Sequence, residues 1–239
     1  MVRLYPRPDP QRSWGFRVAW RLAWAVVWFV GLSVAWVLLY RVVPPPVTMT
    51  MILDPNGFHK QWTPIARIDR TMVDAVIAGE DARFCQHHGF DKAGIEYALR
   101  RNMNGGRLRG GSTISQQTAK NAFLWQGTGW TRYARKALEA WFTVLIEHLW
   151  DKQRIMEVYL NVAETGIGTY GVEAAAERYF GHSAARLSRT EAARIAAALP
   201  NPKKRAVVGA RGFVRRHGNS IAARSGVVRN GELDGCIYE

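Results

Sequence analysis

Cysteine is nearly absent from this 239-residue chain: Cys85 and Cys236 stand far apart and form no metal-binding pair. In an oxidising compartment they could make one bridge, but the favoured reading is two unpaired thiols, with Cys85 packed against a helix. Acidic residues are also few, 19 against 33 lysines and arginines, for a formal net charge of +14. No internal repeat is visible, and no zinc-finger or recognition-helix pattern. Neither a phosphate loop ending in Gly-Lys-Ser/Thr nor a Gly-x-Gly-x-x-Gly dinucleotide fingerprint stands at the chain's glycine-rich stretch.

Charge is missing altogether from Leu22 to Tyr40, whose 19 positions span about 30 Å as a helix, the hydrocarbon thickness of a bilayer. Arg3, Arg7, Arg12, Arg17 and Arg21 precede this run against a single acid, Asp9, which places the N-terminus in the cytoplasm and the remainder across the membrane. The run is longer than the apolar part of a cleavable signal, and Val42-Val43-Pro44 is a poor cleavage site. A core helix would show a polar face. An uncleaved anchor is therefore expected. Residues 1 to 41 carry +5 of the charge, leaving +9 beyond the anchor. Such a domain suits anionic headgroups or lipid-linked anions, and no nucleic-acid partner is expected.

Pro44-Pro45-Pro46 is a stiff spacer that cannot continue a helix. Val47–Leu53 alternates like a short strand, Asp54-Pro55-Asn56-Gly57 reads as a turn, and a second short strand fits Phe58–Trp62. From Ile68 the pattern is helical: a helix ending near Glu80, then Lys92–Asn102, Trp130–Trp150, a segment opened by Asp151, Val172–Phe180 and Thr190–Leu199. Lys203-Lys204-Arg205 and Arg211, Arg215 and Arg216 mark a basic tail, expected at the surface or frayed. Periodicity alone predicts a mostly α chain with a small β element.

Several clusters carry chemistry. Glu80-Asp81-Ala82-Arg83-Phe84-Cys85-Gln86-His87-His88-Gly89 sets two carboxylates at a helix end, where a polar cluster can hold one at a raised pKa. Gly105–Gly111 is glycine-rich and basic, and it feeds a helix start for which Ser112 is the candidate N-cap. Such a start offers N–H groups to an anion, with Lys120 two turns on. On the next helix Glu139 follows Arg135 and Lys136 by four and three positions and can be held among cations. Each cluster alone also has a bland reading: solvated helix end, capped loop, surface ion pair.

Taken together and in order, these stretches resemble the glycosyltransferase domain of peptidoglycan polymerases, the domain of class A penicillin-binding proteins and of monofunctional biosynthetic peptidoglycan transglycosylases. The resemblance covers about residues 62–205. It rests on Glu80-Asp81-x-x-Phe84-x-x-His87-x-Gly89; Gly111-Ser112-Thr113-Ile114-x-Gln116-Gln117 with Lys120-Asn121; Arg135-Lys136-x-x-Glu139; Glu157-x-Tyr159-Leu160-Asn161; and Gly171-Val172-Glu173-Ala174-Ala175-Ala176 with Tyr179-Phe180-Gly181. Ser115, Met156 and Cys85 depart from the common pattern without removing a charged or amide group.

The resemblance implies a two-lobed, lysozyme-like helical domain that joins lipid II units into β-1,4-linked glycan with inversion and release of undecaprenyl pyrophosphate. The implied organisation is a cytoplasmic basic tail (1–21), a transmembrane helix (22–40), linker and short strands (41–61), the glycosyltransferase domain (62–205) and a basic extension (206–239). Glu80 is the implied base, with Glu139 the second essential carboxylate beside the donor pyrophosphate. Lys120, Arg135, Lys136 and Arg83 would neutralise phosphate, while Ser112, Gln116 and Gln117 hydrogen-bond phosphate and sugar. Asp81, Phe84, His87, Gly89, Gly111, Thr113, Asn121, Glu157 and Asn161 are supporting positions. Asp81 points about 100° away from Glu80 on a helix and is read as structural, His87 as a brace, and Glu157 as the partner of an arginine. No cofactor is certain; Mg²⁺ or Mn²⁺ at Glu139 is the one metal option.

The expected partners are lipid II, the growing strand and the membrane, with penicillin-binding or cell-division proteins compatible but unspecified. The sequence shows no Ser-x-x-Lys and no Lys-Thr-Gly, so no transpeptidase half is expected. Phe123, Leu124, Trp125 and Trp130 are read either as a membrane-facing lobe or as core. The rival functions are a lytic transglycosylase or lysozyme-like hydrolase, and a non-catalytic membrane-tethered scaffold.

Overall fold

Ser13 opens the first helix, its hydroxyl accepting from the Phe16 amide at 3.4 Å, and α1 then runs Trp14–Val42. This helix is long and apolar enough to cross a membrane and extends the charge-free run by two turns toward its N-terminus. The computed structural model describes residues 11–103, 111–127 and 129–238. Most of the expected glycine-rich basic loop and the start of the N-terminal tail fall outside them. By its contacts the chain divides into residues 1–43 and 44–239.

In the second unit a central helix, α3 (Arg70–Glu80), is capped by Asp69, which accepts from the Thr71 amide at 2.8 Å. Met72 to Ala78 are all buried, so α3 is enclosed on every side. It packs against α9 (Arg189–Ala198) and α10 (Gly212–Asn230), which also pack on each other. A Cβ on Gly79 would sit 3.2 Å from Ile221 Cδ1, which shows how closely α3 and α10 approach. The basic tail expected at the surface or frayed is thus an ordered helix: Arg211, Arg215 and Arg216 are exposed, and one face packs on the core. Its inner face is Gly218, Ile221, Ser225 and Val228, spaced three or four apart and too small and mixed to stand out among arginines.

A second layer is built on α5 (Ile114–Phe123), which packs against α6 (Thr131–Leu149) and α7 (Lys152–Val162). Phe123 stacks on Phe142 with ring centres 4.7 Å apart. Phe123 and Leu124 are buried, so these two belong to the core and not to a membrane-facing lobe; Trp125 is half-buried and Trp130 is exposed. Between α3 and α5, α4 (Lys92–Met103) follows Gly89, and α8 (Val172–Phe180) follows a small sheet. In that sheet β3 (Thr169–Tyr170) lies between β1 (His59–Lys60), parallel to it, and β2 (Glu164–Gly166), antiparallel. Gly171 has φ 83°, and a Cβ there would lie 3.0 Å from the Asn161 carbonyl oxygen, so glycine is required where the sheet hands over to α8.

The strand expected over Val47–Leu53 is instead one helical turn, α2 (Met49–Ile52). Met51 turns into the core from it, and a run this short fits one turn of helix as well as a strand. The expectation of free thiols is also overturned: Cys85 and Cys236 form a disulfide, with Cα atoms 5.6 Å apart. The pairing depends on α10 folding back along α3, so that α11 (Gly235–Tyr238) arrives beside residue 85. Nothing local in the sequence signals that return.

Candidate functional site

Glu80 is the last residue of α3, half-buried where two hollows meet. Its Oε2 accepts from Gln117 Nε2 at 2.9 Å, and Gln117 Oε1 in turn accepts from the Tyr159 hydroxyl at 3.5 Å. Tyr159 thereby fixes the amide so that its NH₂ faces the carboxylate. Desolvation pushes the Glu80 carboxyl above its ordinary 4.5, opposed in part by the Gln117 hydrogen bond and by Arg205 and Lys120. A half-buried carboxylate of raised pKa, one oxygen anchored, is equipped to accept a proton.

Asp81 faces elsewhere. Both of its oxygens lie 3.0 Å from His87 Nε2, and Oδ2 also accepts from the Ile114 amide at 3.0 Å, so it ties the end of α3 to the start of α5. The His87 carbonyl accepts from Lys152 Nζ at 2.7 Å, and the same ammonium sits 4.5 Å over the buried Phe84 ring. Gly89 (φ 84°) lies so close to α6 that a Cβ would meet Thr143 Cγ2 at 2.7 Å. Its carbonyl accepts from Thr113 Oγ1 at 2.6 Å.

The start of α5 differs from expectation. Thr113, not Ser112, is the N-cap, and it forms a capping box with Gln116. Gln116 Oε1 accepts from the Thr113 amide at 3.1 Å and the side chain is buried, so Gln116 is a structural cap and not a ligand for phosphate or sugar. The Thr-x-x-Gln spacing carried that signal. Ser112 stays exposed at the cleft edge beside Gly111, and Gln117 faces the cleft.

On α6, Glu139 is 3% exposed and held by Arg135 Nη1 at 2.8 Å and by Lys136 Nζ. With both oxygens taken by cations, and no group of three His, Cys, Asp or Glu able to hold a metal among the described residues, the donor set does not fit a divalent ion at Glu139. Lys120 lies between Glu80 and Glu139 with no hydrogen bond or ion pair to its ammonium among the described residues. Burial lowers its pKa; Arg135 and Lys136 push the same way, against Glu139 and Glu80.

These groups line one cleft of about 560 Å³ with Glu80, Ser112 and Gln117. Phe213, His217 and Arg224, which also line it, were not singled out in the sequence, and Arg205 was read only as part of the basic tail. Arg205 lies 5.6 Å over the Phe213 ring, and His217 stacks on the same ring at 5.6 Å. Burial, with Arg205 and Arg224, holds the His217 imidazole below its ordinary 6.5. Arg83 sits apart from this set. It is paired with Asp91 in the adjoining hollow of about 480 Å³, so its charge is already compensated. Asn121 lines a third hollow, shared with Lys120 and Tyr159. Glu157 pairs with Arg154 and accepts from the Ile65 amide at 2.9 Å. Asn161 clamps Thr63 from both sides, at 2.8 and 2.9 Å. Neither Glu157 nor Asn161 lines any of the three hollows.

A family model described as Transglycosylase matches residues 48–225. The chain belongs to the transglycosylase family. Similar proteins include a biosynthetic peptidoglycan transglycosylase of Caulobacter vibrioides, 49% identical over 84% of this chain and 88% of that protein. A protein of the same description from Pseudomonas aeruginosa is 50% identical over 74% of this chain and 79% of its own. One from Xanthomonas euvesicatoria is 46% identical over 97% and 92%. The transglycosylase match runs through α10 as far as residue 225, so it takes in His217 and Arg224 as well as the motif-bearing helices.

Proposed function

We propose that the chain is a peptidoglycan glycosyltransferase that polymerises lipid II, with Glu80 as general base. The observation that carries the reading is the pairing, in one cleft, of a desolvated carboxylate with an ammonium that has no ion-pair partner among the described residues, Lys120, flanked by the Arg135–Lys136–Glu139 group. Glu80 takes the proton from the acceptor 4-hydroxyl as that oxygen attacks the anomeric carbon of the donor. The bond from that carbon to the pyrophosphate breaks, and attack from the opposite face gives the β-1,4 link with inversion. Lys120, Arg135 and Lys136 stabilise the negative charge that gathers on the departing undecaprenyl pyrophosphate. Glu139 holds two of those cations in place, so its role is to shape the phosphate site.

The substrate's polyprenyl chain keeps it in the bilayer, and a helix such as α1 confines the search for it to a surface. The arginine bias before the anchor supports a cytoplasmic N-terminus in the inner membrane and a periplasmic catalytic domain. Strands made there would meet penicillin-binding or cell-division proteins for crosslinking. Purified full-length protein given lipid II alone should yield long glycan strands and free undecaprenyl pyrophosphate. A protein that left lipid II unchanged but cut finished glycan would overturn the reading in favour of a hydrolase.

A further inference from the structure

We propose that residues 229–238 act as a clamp that positions Glu80, and that the Cys85–Cys236 disulfide is its redox-sensitive latch. The segment grips the element that carries Glu80 near its start and also grips the turn that follows it. At the start of α3, Arg70 makes a two-pronged bond to the fully buried Asp234, at 2.6 and 2.9 Å, with its guanidinium 4.6 Å from the Tyr238 ring. One turn on, Asp74 receives Arg229 Nε at 2.8 Å and Nη2 at 2.6 Å. Five residues after the last residue of α3, Cys85 is bonded to Cys236. The segment is also moored to α7, where Gln153 Nε2 donates to the Ile237 carbonyl at 2.8 Å. A stretch of ten residues therefore ties the first turns of α3 to the turn that follows Glu80 in the chain.

The covalent end of the clamp falls at a sensitive point. Cys85 lies in the single turn Phe84–Gln86, between Asp81 and His87, whose side chains are bonded to each other, and Asp81 adjoins Glu80. The disulfide thus closes on the loop whose fold sets the direction of the Glu80 carboxylate. Cys85 and Cys236 act through Glu80 and are positioning residues. Both are half-buried, within reach of a small dithiol. Reduction by an external dithiol breaks the S–S bond: two electrons and two protons pass to the chain, giving two thiols, and the dithiol becomes a disulfide. The buried ion pairs keep the C-terminal segment on α3, while the turn at 84–86 gains freedom.

The clamp rests on the glycosyltransferase reading only through the role of Glu80. The test uses the full-length protein in detergent with lipid II, well below its unfolding temperature, oxidised, reduced with dithiothreitol, and as the Cys236→Ser variant. Reduced wild type and Cys236→Ser should lose kcat by at least about tenfold with KM changed less than about twofold. Reoxidation should restore the wild type, and the variant should not respond to reductant. An unchanged kcat with a lowered melting temperature would overturn the proposal, since the bridge would then be merely structural. Hydrogen exchange reads the clamp without turnover: faster exchange at residues 80–89 on reduction supports it, and unchanged exchange refutes it. Failure of the oxidised protein to polymerise lipid II would count against the function alone, because the exchange measurement still decides the clamp.

Discussion

Replacing Glu80 with glutamine should move activity and stability in opposite directions. The amide keeps the size of the carboxylate and can still accept from Gln117, whose own oxygen stays on Tyr159. What disappears is a charge that the fold holds at a cost, since burial raises the carboxyl above 4.5 in the native state. The native state therefore binds that proton more tightly than the unfolded chain. Stability contributed by the protonated group is present below the unfolded pKa and is lost as pH rises through the native one. Each unit of elevation corresponds to about 1.4 kcal/mol, already net of the favourable Gln117, Arg205 and Lys120 contributions. Glu80→Gln should accordingly be the more stable protein at pH 7.5, and indistinguishable from wild type below pH 4. Lipid II turnover should fall by about 10² to 10⁴-fold, the usual contribution of a general base. Urea unfolding at both pH values and a strand-formation assay measure the two effects on the same preparations. A variant less stable than wild type at pH 7.5, or one polymerising at a normal rate, would refute the reasoning.

The wild-type pH profile should share this origin: its acid limb lies above that of an exposed glutamate, because Glu80 must lose its proton. Its alkaline limb lies below 10.5, because Lys120, depressed by burial, must keep its own. Glu139→Gln removes the counter-charge of Arg135, whose side chain is only 13% exposed, and should cost about 3–5 kcal/mol in urea unfolding, with the half-exposed Lys136 adding little. Asn161→Ala leaves the buried Thr63 amide without an acceptor and should cost about 1–3 kcal/mol while leaving kcat for lipid II unchanged. His217→Glu places an acid beside Arg205 and Arg224 in the cleft and should raise KM for lipid II about tenfold, a loss of about 1.4 kcal/mol, with less effect at high salt.

Legibility in the sequence followed the range of the forces involved. The apolar span of α1, the helix ending at Glu80 and the pairing of Arg135 and Lys136 with Glu139 are local, set by periodicity or by three- and four-residue spacings, and each is found where the pattern put it. Thr113 and Gln116 were within reach too, because a capping box is a four-residue signal. There Ser112 drew notice for its place after glycine, although Thr113 had the better spacing. Single-turn elements such as α2 lie below what alternation can resolve.

The C-terminal region shows where local reading ends. Arginines dominate residues 211–230, and on an exposed helix they would be a solvated face. The structure turns Ile221, Ser225 and Val228 inward and aims His217 and Arg224 at the cleft. That orientation is imposed by α3 and α9: Ala193, Ala196 and Ala197 of α9 leave room for a third helix to approach closely, with Gly79 and Gly218 at the contact. Once α10 is docked, the chain has little choice about where it ends. Arg229 and Asp234 meet the acid and the base that α3 offers them one turn apart, and Cys236 arrives beside Cys85. The charges of this region thus do two jobs that composition cannot separate: those facing the cleft suit an anionic ligand, and those facing α3 have buried partners that hold the catalytic helix in register.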